Sequence, residues 1–171
     1  MINLKGISAR MFAGGAILSV WCVIAIIIFE LLGIKEHWPA FLVCVLFFLT
    51  DANPKNLISI VPGGLAGLLY AKATVPFGNL IASVVHNETL GILLGVYILI
   101  AVGIALMEFL PAIFNNYLML FWLVAMTFRE NQHTLTWVLT AILGGAFVIG
   151  GLLIILRLMG VKHGEEHSAQ G

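Results

Sequence analysis

The sequence predicts an all-α integral membrane protein whose six transmembrane helices form a 3+3 inverted repeat, long, short and long in each half. Composition, the lengths of the apolar segments and a pattern that recurs in both halves carry that expectation. The 171 residues are 61% hydrophobic and only 9% charged, with a mean hydropathy of +1.11, whereas soluble domains carry roughly 25% charged residues. So few charges cannot cover a water-facing surface. Formal net charge is zero and the sequence pI is near 7.0, so no basic field for nucleic acid exists. Cys22 and Cys44 lie inside apolar runs, where a thiol behaves as a small hydrophobe, and they carry no metal-binding spacing.

The first apolar segment covers residues 11–33. Lys5 and Arg10 precede it as they would in a signal peptide, but it exceeds the roughly 7–15 residues of a signal core and lacks a small-x-small cleavage site. A retained first span is expected. A short segment, residues 38–50, follows; residues 57–85 and 89–113 are long, 117–128 short and 134–159 long. The long segments meet the roughly 20 residues that cross a bilayer. All should be helical, because backbone groups in lipid must pair within their own segment.

The two halves share their punctuation. Phe29-Glu30-Leu31-Leu32-Gly33 and Met107-Glu108-Phe109-Leu110-Pro111 both read hydrophobic, Glu, hydrophobic, Leu, breaker. The short segments reach Thr50 and Thr127, and polar loops at residues 51–56 and 129–133 lead into segments rich in small residues. Three spans per half is odd, so a second copy must be inverted relative to the first, as in many transporters and channels. The expected organisation is a cytoplasmic N-terminus at residues 1–10, repeats at 11–86 and 87–160, and a flexible cytoplasmic tail at 161–171. Lys5, Arg10, Lys55, Arg157 and Lys162 then lie inside and Lys35 and Arg129 outside, which places both termini in the cytoplasm.

Gly63 and Gly67, Ala141 and Gly145, and Ala146 and Gly150 recur at four-residue spacing. Such stripes let backbones approach closely within or between protomers, and a homo-oligomer is expected. Lys72 stands out more, since a charge inside an apolar segment costs at least a few kcal/mol by insertion scales unless it meets protein or water. Lys72, Asn79, Ser83 and His86 recur at intervals of seven, four and three, which puts them on one helix face. Pro76 removes the N–H that would bond the Lys72 carbonyl, so a kink or interruption is expected there. Together these residues read as a path for a small polar solute, with a positive centre that favours anions. The competing reading ends the span at Ala71, makes Lys72 an interfacial snorkelling residue and turns residues 74–85 into a surface or re-entrant helix.

Other constellations are weak. Two histidines in His163-Gly164-Glu165-Glu166-His167 make a poor metal site, and the glycine doublets lack the lysine of a phosphate cradle. No cofactor, metal or enzymatic activity is expected. Trp38 and Trp137 flank helix starts as belt residues do, while Trp21 and Trp122 sit deep in their segments.

The stretches Trp38-Pro39-Ala40-Phe41-Leu42, Pro62-Gly63-Gly64-Leu65-Ala66-Gly67-Leu68, Ala71-Lys72-Ala73-Thr74 and Ala125-Met126-Thr127-Phe128 resemble a small bacterial inner-membrane DUF-type family of unknown function. More distantly, a short Trp-Pro helix, a polar loop and a glycine-rich helix are similar to membrane domains of the aromatic-acid exporter, fusaric-acid-resistance and aluminium-activated malate transporter group. That second resemblance implies six spans, a dimer or larger assembly, and transport of organic anions. Two functions are therefore expected to compete: a channel or secondary transporter for a small polar solute such as a short carboxylate, or a non-transporting assembly factor or subunit that packs with partner helices.

Overall fold

A computed structural model describes residues 9–128 and 133–158, with side-chain surroundings from Gly15 onward. The expected N-terminal segment before Ala9, the tail after Leu158, and Lys5, Arg129 and Lys162 with them lie outside the described residues.

The described chain is helical throughout, with no strand among the described residues. Helix α1 spans Ala9–Leu31, α2 Trp38–Leu49, α3 Leu57–Val85, α4 Glu88–Leu106, α5 Asn116–Met126, α6 Thr134–Leu139 and α7 Gly145–Leu158. A π-helical turn at Thr140–Gly144 joins α6 and α7 into one rod. Three helices are long and apolar enough to cross a membrane, Pro54–Val85, Glu88–Leu106 and Thr134–Leu158, and they suit a membrane protein. Gly15–Leu31, α2 and α5 are shorter apolar helices.

Most boundaries follow local chemistry. Pro39 lies in the first turn of α2, where its missing N–H leaves no bond unmade. Asn87 and Asn115 cap α4 and α5 by accepting backbone N–H groups at Leu90, and at Tyr117 and Leu118. Helix α4 stops at Leu106, seven residues before the end of the segment expected at 89–113. Pro111 lacks a donor and disfavours helix at the residue before it, and the chain instead turns, with the amides of Phe109 and Leu110 bonding the Leu106 carbonyl. Conversely, α3 is not interrupted at Pro76, nor at Pro62. A packed neighbour holds the proline-containing stretch, because Gly78 lies against Ile92 and Gly95 of α4.

Packing is crossed between the halves. Helices α4 and α5 pack on α3, whereas α1 and α2 pack on the rod formed by α6, the π turn and α7. Glycines make both seams. A Cβ on Gly64 would sit 2.9 Å from the Phe121 ring, and one on Gly67 would strike the Leu118 carbonyl and stand 3.0 Å from the Trp122 nitrogen. On the other rod, a Cβ on Gly144 would sit 2.9 Å from the Ala40 Cβ, and one on Gly145 3.1 Å from Val43. Gly63 and Gly67 therefore serve packing within one protomer. The last stripe divides: Ala141 and Gly145 are buried, Ala146 is exposed, and Gly150 has nothing within 4 Å of its missing Cβ.

A contrast in stability follows. Gly67→Ala should destabilise the purified protein by ~1–3 kcal/mol, since backbone atoms cannot yield to the added methyl. Gly150→Ala should be neutral or stabilising by up to ~1 kcal/mol through helix propensity alone. Unfolding of each variant in mixed detergent micelles checks both signs.

Candidate polar face on helix three

Helix α3 carries two polar faces with opposite surroundings. On the inner one, Thr74 is wholly buried. Its hydroxyl donates to the Tyr70 carbonyl at 2.8 Å and accepts the Trp122 indole N–H at 2.9 Å. That network closes α5 onto α3 with every donor used.

Two residues before Thr74, on the outer face, stands Lys72. It begins a stripe with Pro76, Asn79, Ser83 and His86, all exposed, so the shared face expected from the spacing is present. Lys72 follows the start of the 29-residue helix by 15 residues and precedes its end by 13, about 22 Å and 20 Å at 1.5 Å per residue. Ser83 turns its hydroxyl onto the Leu80 carbonyl at 2.7 Å. His86 caps α3 in the left-handed region, with φ 53°. Among the described residues no carboxylate pairs with Lys72, and the stripe lines neither the cavities beside Phe29 and Lys35 nor the one beside Val43. Exposed Leu69, Leu80 and Val84 flank it. None of the described helices folds over this face.

A second polar group forms where the loop at residues 33–37 meets the start of α6. The Trp137 indole N–H donates to the Glu36 carboxylate, and His37 stacks on Phe29 with its Nδ1 3.9 Å from the Glu30 carboxylate. Trp38 packs against Phe121, Phe128 and Trp137. Trp137 is fully buried rather than exposed like a belt residue, because Glu36 satisfies its one donor. Among the described residues, His37 Nδ1, Trp38 Nε1 and Thr134 Oγ1 find no hydrogen-bond partner.

The residues that lock α3 to its neighbours were not all singled out by sequence. Asn115 accepts the amides that start α5 while its side-chain amide donates to the Ser59 carbonyl at 3.1 Å, and it fills the space over Gly63. Gly91 and Gly95 oppose Ala82 and Gly78, a four-residue spacing visible in the sequence but outshone by the doublets. Among the described residues no cluster of metal-ligating side chains occurs.

The family described as "Protein of unknown function (DUF1097)" matches residues 13–156. The chain belongs to the DUF1097 family. No curated protein and no solved structure matches it significantly. The stretch shared with the DUF1097 family takes in both glycine seams and the whole Lys72 stripe.

The inner network generates a test. Thr74→Val strands the Trp122 N–H in an apolar seam and should cost ~1–3 kcal/mol, whereas Thr74→Ser should restore most of it. Combining Thr74→Val with Trp122→Phe should cost less than the two single changes together, because neither variant then leaves a donor unmet. Micellar unfolding of the four proteins measures the coupling.

Proposed function

We propose that this protein is a channel or secondary transporter of the bacterial inner membrane that carries a small polar solute, an anion such as a short carboxylate, along the Lys72 face of α3. A second copy of the chain completes the path. One observation carries the reading: an ammonium halfway along an apolar 29-residue helix points out of its own chain and has no acidic partner among the described residues. Facing lipid there would cost a few kcal/mol at least. A homo-oligomer that joins two such faces surrounds Lys72, Asn79, Ser83 and His86 with protein and water instead. In that low-dielectric setting a single positive charge attracts anions and repels cations. The unbroken run of α3 from Leu57 to Val85 counts against a span that ends at Ala71.

The crossed packing supports the inverted 3+3 repeat as part of the same proposal. Each half contributes a long third rod that receives the first and second helices of the other half, and each rod opens to its short helix through a glycine doublet, Gly63-Gly64 or Gly144-Gly145. A pseudo-two-fold axis in the membrane plane produces this reciprocity. Both termini are then cytoplasmic, and Lys35 lies outside beside His133, with which it lines one cavity. A cysteine placed after Lys162 should be labelled only from the cytoplasmic side; labelling from outside would overturn the orientation.

A second reading keeps one specific support. The exposed Ala146 and half-buried Gly150 border an apolar cavity of about 400 Å³ between α7, α2 and α3, as suits a subunit that packs with partner helices without transporting anything. Anion flux in liposomes separates the two. Lys72→Met should lower flux by about tenfold or more while insertion persists, Lys72→Glu should reverse the charge preference, and Pro76→Ala should alter flux by restoring the N–H to the Lys72 carbonyl. Unchanged flux of every tested anion in Lys72→Met and Pro76→Ala would replace transport with the packing role.

A further inference from the structure

We infer that the cleft between the end of α1 and the π turn is a binding site for one acyl chain of an anionic phospholipid, whose phosphate is held at the mouth by Lys35, His133 and Thr136. The cleft has a volume of about 430 Å³ and is walled chiefly by Phe29, Leu32, Leu139, Leu143 and Phe147, within the roughly 300–1,000 Å³ of small-molecule sites. A second cavity of about 260 Å³ is lined by Gly33, Lys35, Glu36, His133 and Thr136. Thr136 borders both, so the polar chamber adjoins the apolar one. This combination of an apolar trough with a polar head fits an amphiphile and not a fully hydrated ion.

The wall itself is unusual. Thr140, Leu143 and Gly144 reach the cleft from the π turn, and single π turns inside α-helices occur often at functional sites. The extra residue per turn widens the rod beside α1. On its outer side the cleft is bordered by Leu32, Leu139 and Leu143, which are 69%, 49% and 66% exposed. An apolar border of that kind admits a chain from the bilayer and favours a lipid over a soluble carboxylate. At the mouth the Glu36 carboxylate is already engaged by the Trp137 N–H. Among the described residues Lys35 is the one lysine or arginine lining either chamber, and the His133 ring and Thr136 hydroxyl add hydrogen-bond donors beside it. The volume suits one chain, not two.

Native mass spectrometry of the full chain, delipidated in detergent and titrated with phosphatidylglycerol or with phosphatidylcholine of the same chains, tests the site. The expected result is retention of one phosphatidylglycerol per chain, with affinity about tenfold lower for phosphatidylcholine and for Lys35→Gln. Thr136→Phe, an exposed position whose larger side chain blocks the junction of the chambers, should lose the bound lipid, while Leu123→Phe on a distant exposed surface should keep it. Equal retention of the two lipids, or retention unchanged in both Lys35→Gln and Thr136→Phe, would overturn the site and leave annular lipid only. Displacement by a short soluble carboxylate at equal concentration would likewise overturn the lipid assignment.

Discussion

The arrangement rests on close helix contact at two glycine seams. In a chain with so little charge, helices surrounded by lipid gain nothing from leaving water and must associate through dispersion contacts and hydrogen bonds. Those forces fall away within fractions of an ångström. The absence of side chains at Gly63, Gly64 and Gly67 lets α5 approach α3 until the Asn115 and Phe121 side chains and, at Gly67, backbone carbonyl and amide atoms crowd the place of a Cβ, while Gly144 and Gly145 make room for the Ala40 and Val43 side chains of α2. Because each seam joins elements of opposite halves, neither half can leave without opening both. Asn115 fastens one seam further by tying the start of α5 to the Ser59 carbonyl.

Much of this was legible in the sequence for a simple physical reason. Apolar length and breaker residues decide where a helix in lipid begins and ends, and α2, α3 and α6 start at the residues expected, Trp38, Leu57 and Thr134. The end of α4 was not legible from hydropathy, because residues 107–113 are nearly as apolar as the helix before them while Pro111 dictates turns. The role of small residues was legible and their partners were not. Spacing shows that Gly63 and Gly67 share a face, but whether that face meets α5 or another protomer depends on tertiary structure. The close approach of Gly91 and Gly95 to α3 was present in the same spacing and passed unmarked. The π turn leaves no trace in composition, and the Ala141 to Gly150 stripe runs from buried Ala141 and Gly145 to exposed Ala146 and half-buried Gly150.

Polar groups show the same division between local and tertiary information. The indoles of Trp21, Trp122 and Trp137 each find an acceptor across a helix interface: the Val148 carbonyl, the Thr74 hydroxyl and the Glu36 carboxylate. None of these pairings follows from spacing, since the partners are 127, 48 and 101 residues apart. The Lys72 stripe is the reverse case. Its coherence along one face was readable from intervals of seven, four and three, and tertiary structure adds that this face is turned outward. The protein hides a threonine and an indole in a sealed seam, while a lysine, an asparagine and a histidine on the outside of the same helix have no side-chain partner among the described residues, and the proposed path would set something polar against that outside.

Whether a second copy supplies it can be measured directly. In a chain with Cys22 and Cys44 changed to serine, a single cysteine at position 79 reports on the face one helical repeat beyond Lys72. Under mild oxidation in native membranes the account predicts disulfide-linked dimers through position 79, together with reaction of the reduced thiol with a membrane-impermeant reagent. A thiol that forms no dimer and reacts with no aqueous reagent would place the stripe against lipid or a different protein, and would contradict a water-filled path between two copies.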